Sequence, residues 1–438
     1  MNARQSRTRA ILVGALVVIG AVYLLQLVRP LHLEWDSVCY LQIADHAAHG
    51  RGFSCAGCDR THCPVLHPPG YPAVLAALIR AGIASGTSFV LLNLVCLAIA
   101  LVGSNELWRR EFDLDSTTRL LLAAVLLLWW PIFRLANNPL SEFVFLAPST
   151  TAIVVAIVAG RSPSIARRGG GVIIALLLAF AAFKVRTVGI ALVPAIAWAA
   201  LSTPEQLTWA RNQLKARPGL FAAAGVGLLA IGALVLSRSQ YVTGDLHTQF
   251  GRGLWATLVQ TWGYRLTEFG ELALNVPAGK LPAAVQPIVS TIGAGCVLLL
   301  GWLLWRRGRA IGSAEVFLLG VAAIMFIWPY KDARFWIPVF PVILGLCAWA
   351  ARNVLSTRVR PALPAVLVAL FVSVGVLGEI YNTRISLAPE QLPFRFSDDY
   401  LGPVYREAWG HRLPTDTTPV DSTALRLLRE FEPRARRQ

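Results

Sequence analysis

Apolar runs near the length of a membrane span recur along this chain. Hydrophobic residues make up 55% of its 438 residues and charged residues only 15%, which is too apolar for a soluble domain of this size. The sequence predicts an all-α polytopic membrane protein of about 11 transmembrane helices, since a span needs roughly 20 apolar residues. Two short runs, 170–183 and 187–201, form either thin spans or one broken hairpin. The predicted spans are 10–29, 87–105, 118–135, 142–160, 170–183, 187–201, 219–237, 284–305, 312–329, 335–351 and 362–381.

Basic residues fall in short loops between these runs. The net charge is +16, yet its distribution is the positive-inside pattern of cytoplasmic loops and not that of a nucleic-acid surface. The pattern holds only if the short apolar segment 71–82 lies at the outer interface instead of crossing the bilayer. The groups concerned are Arg109/Arg110, Arg161/Arg167/Arg168, Arg211/Lys215/Arg217, Arg306/Arg307/Arg309 and Arg352/Arg358/Arg360.

This topology places the N-terminus in the cytoplasm, behind a retained first span, and the C-terminus outside. The outer side then carries a long first loop at 30–86 and a second loop at 238–283. We expect a transmembrane module over 1–382, followed by a short outer tail over 383–438. The tail segment "TALRLLREF" has the pattern of a short amphipathic helix.

The first outer loop carries the main candidates for acid–base chemistry. Asp36 lies beside Trp35 and Tyr40 at the membrane boundary, where a carboxylate is placed to act as a general base. The alternative role is an ordinary helix cap. Asp45, further along the same helix, is either a second catalytic acid or part of a solvated face. His67 precedes two prolines that hold the chain extended, and it is either a phosphate contact or a solvated loop histidine.

A cysteine cluster with the spacing C-x2-C-x4-C lies in the same loop. On an oxidising outer face these cysteines, together with Cys39, favour disulfides whose connectivity the sequence leaves open. The alternative is a structural zinc site completed by a histidine. Either arrangement would stiffen the loop without performing chemistry. The residues concerned are Cys55, Cys58, Cys63, His62 and His67.

Charged residues also stand at the predicted outer ends of later spans. Glu142 opens a span and is either a second carboxylate of the site or a helix-dipole partner. Lys184 and Arg186 interrupt apolar sequence, so they need a counter-ion, either a substrate phosphate or lipid headgroups. Arg334 is suited to clamping a phosphate through two hydrogen bonds, or it simply pairs with Asp332.

The string "WDSVCYLQIADHAAHGRGF…HPPGYPAVLAAL" resembles the first outer loop of the integral-membrane GT-C glycosyltransferases. More narrowly, it is similar to the dolichyl-phosphate-mannose–protein mannosyltransferases and bacterial lipid A aminoarabinose transferases, glycosyltransferase family 39. The shared order is an acidic D-x-x-x-Y element, a G-x-F turn and a basic or histidine residue before P-P-x-Y. "LSEFVF", "VRTVGIALVPA" and "ARFWIPVFP" resemble later and weaker motifs, so the resemblance covers about 30–345.

The resemblance implies a GT-C-like fold and an inverting transfer of a sugar from a polyprenyl phosphate to an acceptor at the outer face. By match to the family's first-loop acid, Asp36 would be the base that deprotonates the acceptor. Ser37 stands where many relatives carry a second acid, so Glu142 or Asp45 would supply the second carboxylate. The implied substrate- and phosphate-binding residues are His67, Tyr71, Lys184, Arg186, Asp332 and Arg334.

Such a transfer requires only a few catalytic groups from the protein. A lipid phosphate departs readily, so an oriented acceptor, one base and a few fixed cations suffice. No nucleotide or cofactor is required, and a divalent metal is compatible with the reaction without being demanded by it. We expect a lipid-linked donor, a lipid or glycan acceptor and no nucleic acid, at the periplasmic face of a bacterial inner membrane. Two other interpretations stay open: a transporter or flippase for a lipid-linked or anionic solute, and a non-enzymatic assembly subunit.

Overall fold

A computed structural model describes residues 3–28, 30–53, 67–201, 253–355, 362–387, 401–412 and 419–432, with the single residues 212, 216, 251 and 435. Over these residues the chain forms helices and turns, without a strand. The prediction of an all-α fold is confirmed over these residues, and seven of their helical segments are long and apolar enough to cross a bilayer. They are Ser6–Val28, Gly86–Arg110, Glu142–Gly160, Ile165–Val185, Ala283–Arg307, Ala333–Val354 and Ala365–Arg384.

We number the described α-helices in chain order. Those before the gap at 202–211 are α1 (Ala3–Leu24), α2 (Trp35–Ala48), α3 (Gly70–Arg80), α4 (Gly86–Arg110), α5 (Ser116–Leu127), α6 (Trp130–Leu135), α7 (Glu142–Gly160), α8 (Ile165–Val185) and α9 (Leu192–Ala200). Those after it are α10 (Leu254–Leu274), α11 (Gln286–Arg307), α12 (Ser313–Met325), α13 (Phe340–Ala350), α14 (Ala362–Leu387), α15 (Leu401–Ala408) and α16 (Ser422–Phe431).

Three predicted spans are shorter than a full crossing in the structure. The run 118–135 is divided between α5 and α6, because Pro131 stands in the first turn of α6, where proline is tolerated. The run 187–201 is a 3-10 turn, Thr187–Ala191, followed by α9, and the run 312–329 yields only the 13 residues of α12. The run 219–237 lies outside the described residues.

The stretch 238–283, predicted as an outer loop, contains the 21-residue helix α10. This helix packs against α11 at two glycines. A Cβ on Gly270 would lie 2.0 Å from the carbonyl oxygen of Val289, and one on Gly293 would lie 1.7 Å from that of Leu266. Glycine permits this close approach because it has no side chain. The two pairings run in opposite chain directions, so α10 and α11 are antiparallel.

Arginines from three loops meet at one end of the bundle, around residues 110–113. Arg161, Arg307 and Arg352 each donate to a carbonyl oxygen of this loop, at 2.9, 3.3 and 2.5 Å. Arg307 also pairs with Glu315 at 2.6 Å in a buried contact. These loops were all predicted to share the cytoplasmic side, and the structure brings them together.

Glu111, an acid at this arginine-rich end, has a buried carboxylate oxygen without a hydrogen-bond partner among the described residues. Its Oε1 accepts the backbone N–H of Ala314 at 3.2 Å, which caps the start of α12. Its Oε2 is buried and accepts no hydrogen bond from the described residues. Burial, reinforced by the neighbouring Glu315 carboxylate, raises the pKa of Glu111 to about 7.

The C-terminal tail packs at the opposite end, on the segment that leads into α2. The hydroxyl of Tyr405 accepts the N–H of Leu33 at 2.7 Å and donates to the carbonyl of Leu31 at 2.8 Å. A carboxylate oxygen of Glu432 accepts the N–H of Leu31 at 2.8 Å. The amphipathic helix predicted at "TALRLLREF" is confirmed as α16, whereas the module boundary drawn after residue 382 falls inside α14.

Candidate functional site

A cavity of about 380 Å³ opens at the end of the bundle that carries the tail. Its volume suits a small-molecule ligand. Its polar wall comes from the start of α2, the segment before α3, the end of α8 and the segment 330–335, while residues of α12 and the turn after it supply much of the apolar wall. The lining residues are Trp35, Asp36, Tyr40, His67, Pro68, Arg186, Thr187, Val188, Ile324, Met325, Trp328, Tyr330, Lys331, Asp332, Arg334 and Phe335.

Asp36 faces this cavity from the first turn of α2. The helix cap is not Asp36 but Glu34, whose backbone N–H donates to the Ser37 hydroxyl at 3.1 Å. The alternative role of Asp36 as a cap is therefore excluded. One carboxylate oxygen of Asp36 accepts a hydrogen bond from Nη2 of Arg334, and the other lies 4.0 Å from Nε2 of His67.

Arg334 is the cation around which the carboxylates of the site gather. Its Nε lies 2.9 Å from Asp332 and 3.6 Å from Glu142, and its Nη1 lies 3.7 Å from Glu34. With Asp36 this makes four carboxylates around one guanidinium, whose five N–H donors are fixed in a planar fork. The arginine thus holds acids from three separate parts of the chain at one point.

Arg186 supplies the second cation through a buried pair with Glu142. Its Nη1 lies 2.5 Å from Oε1 of Glu142 and 3.3 Å from the Ser141 hydroxyl. The Glu142 side chain is 2% exposed and that of Arg186 is 17% exposed. Removing one partner of such a pair leaves a charge without compensation at low dielectric.

His67 packs against the ring of Tyr40 and lies three residues before a close backbone approach at Gly70. Its ring centroid lies 4.4 Å from that of Tyr40, which in turn meets Tyr71 edge-on at 5.0 Å. The next helix, α3, starts at Gly70, where a Cβ would lie 2.5 Å from the carbonyl oxygen of Lys184. Only glycine lets α3 pack this tightly against the end of α8, and this packing fixes the approach of His67.

The protonation of these groups follows from burial and from the arginines. Burial would raise the pKa of Asp36, but the charge and hydrogen bond of Arg334 outweigh it, so this pKa is lowered. Burial lowers the pKa of His67, with only partial compensation from Asp36. At neutral pH the cavity therefore presents an ionised carboxylate beside a neutral imidazole. Burial instead raises the pKa of Glu34.

Several predicted site residues do not line the cavity. Asp45 pairs with His49 at 3.0 Å and lies 3.5 Å from Arg426, on the tail side of α2. Lys184 directs its ammonium over the ring of Phe180, 5.7 Å away. Tyr71 is fully buried behind Tyr40. The cysteine cluster, with Cys55, Cys58, Cys63 and His62, lies outside the described residues.

Two further residues of the site, Glu34 and Lys331, were not predicted from the sequence. Glu34 stands two residues before Asp36 and contacts both Arg334 and Arg134, the latter at 2.8 Å. Glu34 is thus a second carboxylate close to Asp36. It stands two residues before Asp36 and not directly after it, where Ser37 stands. The cavity is also lined by Lys331, whose Nζ lies 3.9 Å from Glu271 of α10.

Comparison of the chain with protein-family models, curated proteins and solved structures returned no match. Among the described residues, no group of three histidine, cysteine, aspartate or glutamate side chains has an arrangement that could hold a metal ion. The geometry of the cavity is therefore the evidence for a function.

Proposed function

We propose that the protein is a GT-C-like inverting glycosyltransferase that moves a sugar from a polyprenyl phosphate to an acceptor. The observation that carries the proposal is the Asp36 carboxyl group facing a cavity at the end of an apolar bundle, between His67 and the guanidinium of Arg334. A transfer from a lipid phosphate needs a base for the acceptor proton and cations for the phosphate that departs. Both kinds of group line this cavity.

In this reaction the acceptor hydroxyl would lie against Asp36, which takes its proton as the oxygen attacks the anomeric carbon. The bond from that carbon to the phosphate oxygen breaks, and the phosphate leaves with the electron pair. Arg186, Lys331 and Arg334 are the cations in reach of the departing charge. Arg334 binds one oxygen of Asp36 and keeps the carboxylate ionised, while the other oxygen, on the side of His67, would accept the proton.

The lipid part of the donor would follow the apolar wall of the cavity. Ile324, Met325 and Trp328 form this wall, at and just beyond the end of α12. Together with the positive-inside distribution of arginine, this arrangement supports a site on the periplasmic face of a bacterial inner membrane. The acceptor would be a lipid or a glycan.

A transporter is the competing proposal. Transport sites commonly place ionisable groups near the middle of the bilayer, on interrupted helices. Two charged groups that line the cavity lie instead at helix ends, since Asp36 begins α2 and Arg186 follows α8. Glu142, the partner of Arg186 behind the lining, likewise begins α7. This distribution favours chemistry at one surface over passage through the bundle.

The test is transfer by the full-length protein in lipid nanodiscs, with a panel of undecaprenyl-phosphate-linked radiolabelled sugars. We expect Asp36→Asn to lower the rate by about 10²–10⁴-fold, which is the usual contribution of a general base. The matched control is Asp45→Asn on the same helix, which should transfer at the wild-type rate. Near-normal turnover by Asp36→Asn would refute the assignment of the base. Flipping of the donor by a wild type without transfer activity would favour the transporter.

A further inference from the structure

The inward face of α10 carries an ion pair that is fully withdrawn from solvent. Nη1 of Arg265 lies 2.9 Å from Oε2 of Glu268, and both side chains are 0% exposed. Burying two charges is costly unless further hydrogen bonds satisfy them. The remaining partners of this pair all belong to the segment 328–336, which carries Arg334.

Glu268 binds that segment on both sides of Arg334. Its Oε1 accepts the backbone N–H of Asp332 at 2.8 Å, and its Oε2 accepts the indole N–H of Trp336 at 2.8 Å. One carboxylate therefore fixes the residues two before and two after the arginine.

Arg265 holds the start of the same segment. Its Nη2 donates to the carbonyl oxygen of Tyr330 and lies 3.4 Å from that of Trp328. Residues 328–332 form no helix, so their carbonyl groups need partners from elsewhere in the protein. The ion pair thus supplies bonds that the segment's own backbone does not make.

A continuous chain of contacts leads from this pair to the candidate base. Asp332, fixed at its N–H by Glu268, accepts the N–H of Arg334 at 2.9 Å and contacts its Nε at 2.9 Å. Arg334 in turn donates to Asp36. A shift of the segment 330–336 would therefore move the guanidinium away from Asp36.

We infer that Glu268, together with Arg265, is a positioning residue that aims Arg334 at Asp36. The inference rests on the proposed function for its kinetic consequences, although its geometry does not. Glu268 does not line the cavity, so it acts through Arg334 and not on a substrate. Positioning of this kind sets a rate, because a displacement of about 1 Å can cost about 100-fold in turnover.

A merely structural role is the alternative, and the chain offers a matched control for it. Glu315 also forms a buried pair with an arginine, Arg307, at 2.6 Å, but at the other end of the bundle. Its side chain is 0% exposed, as is that of Glu268. Glu315→Gln should therefore disturb folding in a similar way while leaving the cavity untouched.

The experiment compares Glu268→Gln with Glu315→Gln in full-length protein in nanodiscs, with an undecaprenyl-phosphate-linked sugar that the wild type transfers. We expect Glu268→Gln to lower kcat at least 10-fold, with a smaller change in KM, and to move the acidic limb of the pH–rate profile to higher pH. In an Arg334→Gln background the same change should move that limb no further, since the two residues act as one unit. Equal profiles for the two glutamate variants would overturn the inference.

A second measurement needs no substrate and separates this inference from the proposed function. Hydrogen–deuterium exchange of the peptide covering 330–336 should rise at least 10-fold in Glu268→Gln and stay unchanged in Glu315→Gln. Unchanged exchange in Glu268→Gln would overturn the positioning role even if transfer is found. If no sugar is transferred by the wild type while the exchange rises as expected, the glycosyltransferase proposal fails and the positioning of Arg334 stands.

Glu268→Gln leaves Arg265 buried without its counter-charge and could prevent folding. The double variant Arg265→Met/Glu268→Gln removes both charges and avoids that penalty. It should fold, exchange rapidly over 330–336 and show the same displaced acidic limb. A double variant with wild-type exchange and wild-type kinetics would overturn the inference.

Discussion

Substituting Glu111 by glutamine should change how the stability of the protein depends on pH. Burial raises the pKa of Glu111 from 4.5 to about 7. A pKa higher by about 2.5 corresponds to ~3 kcal/mol at 1.36 kcal/mol per pKa unit. Because the folded state holds this proton more tightly than the unfolded state, the wild type loses that stability as the pH rises from 4.5 to 7.

Glu111→Gln removes the titration and keeps the hydrogen bond from the N–H of Ala314, since the amide retains an oxygen. The new amide N–H groups occupy the position of Oε2, which has no partner among the described residues, at a cost of about 1–3 kcal/mol at every pH. The stability of the variant relative to the wild type should therefore improve by ~3 kcal/mol between pH 4 and pH 8.

The assay is thermal unfolding in nanodiscs, followed by tryptophan fluorescence at intervals from pH 4 to pH 8. The Tm of Glu111→Gln minus that of the wild type should rise by several degrees across this interval. Asp113→Asn removes a negative charge at the same end from a side chain that is 96% exposed, and it controls for net charge. A Tm difference that is constant with pH would show that Glu111 is not desolvated as described.

Three further predictions concern the site and its supports. Arg334→Gln removes the cation nearest Asp36, so burial then raises the pKa of Asp36. The acidic limb of the pH–rate profile should therefore move to higher pH. An acidic limb at the wild-type pH would show that another group titrates. Gly293→Leu places a side chain against the α10 backbone and should lower the free energy of unfolding by about 1–3 kcal/mol or more, which is measured as a lower Tm. The control is Gly295→Leu, because a Cβ at Gly295 has nothing within 4 Å. Equal Tm values for the two variants would contradict the helix pairing. Tyr405→Phe loses a hydroxyl with two backbone partners and should cost about 1–3 kcal/mol, with faster hydrogen–deuterium exchange over 30–40; unchanged exchange would contradict this role.

The proximity of Asp36, Arg186 and Arg334 could be predicted from the sequence, because alternating spans return the chain to the same side after every second crossing. The contrast between Lys184 and Arg186 was not. The two cations are two residues apart, but Lys184 lies in the last turn of α8, whereas Arg186 has left the helix with φ −147° and ψ 131°. That break turns Arg186 towards Glu142, and hydropathy carries no information about it.

The role of α10 was missed although its signal is present. Arg265, Glu268 and Glu271 follow one another at intervals of three residues, which places them on one face of a helix. The same three charges reduce the mean hydropathy of the segment below that of a span, so hydropathy alone predicts a loop. Charged residues at helical spacing inside a weakly apolar segment indicate a helix with one charged face instead.

The bonds of Tyr405 and Glu432 to residues 31–33 also bear on biosynthesis. A ribosome completes residues 30–53 long before it reaches either residue, so the nascent chain exposes the approach to α2 without these partners. The segment that leads into α2 attains its described hydrogen bonds only after α15 and α16 have been made. A chain interrupted before residue 401 would insert its apolar helices yet lack these hydrogen bonds, so the segment that leads into α2 would be ordered only after α16 has been made.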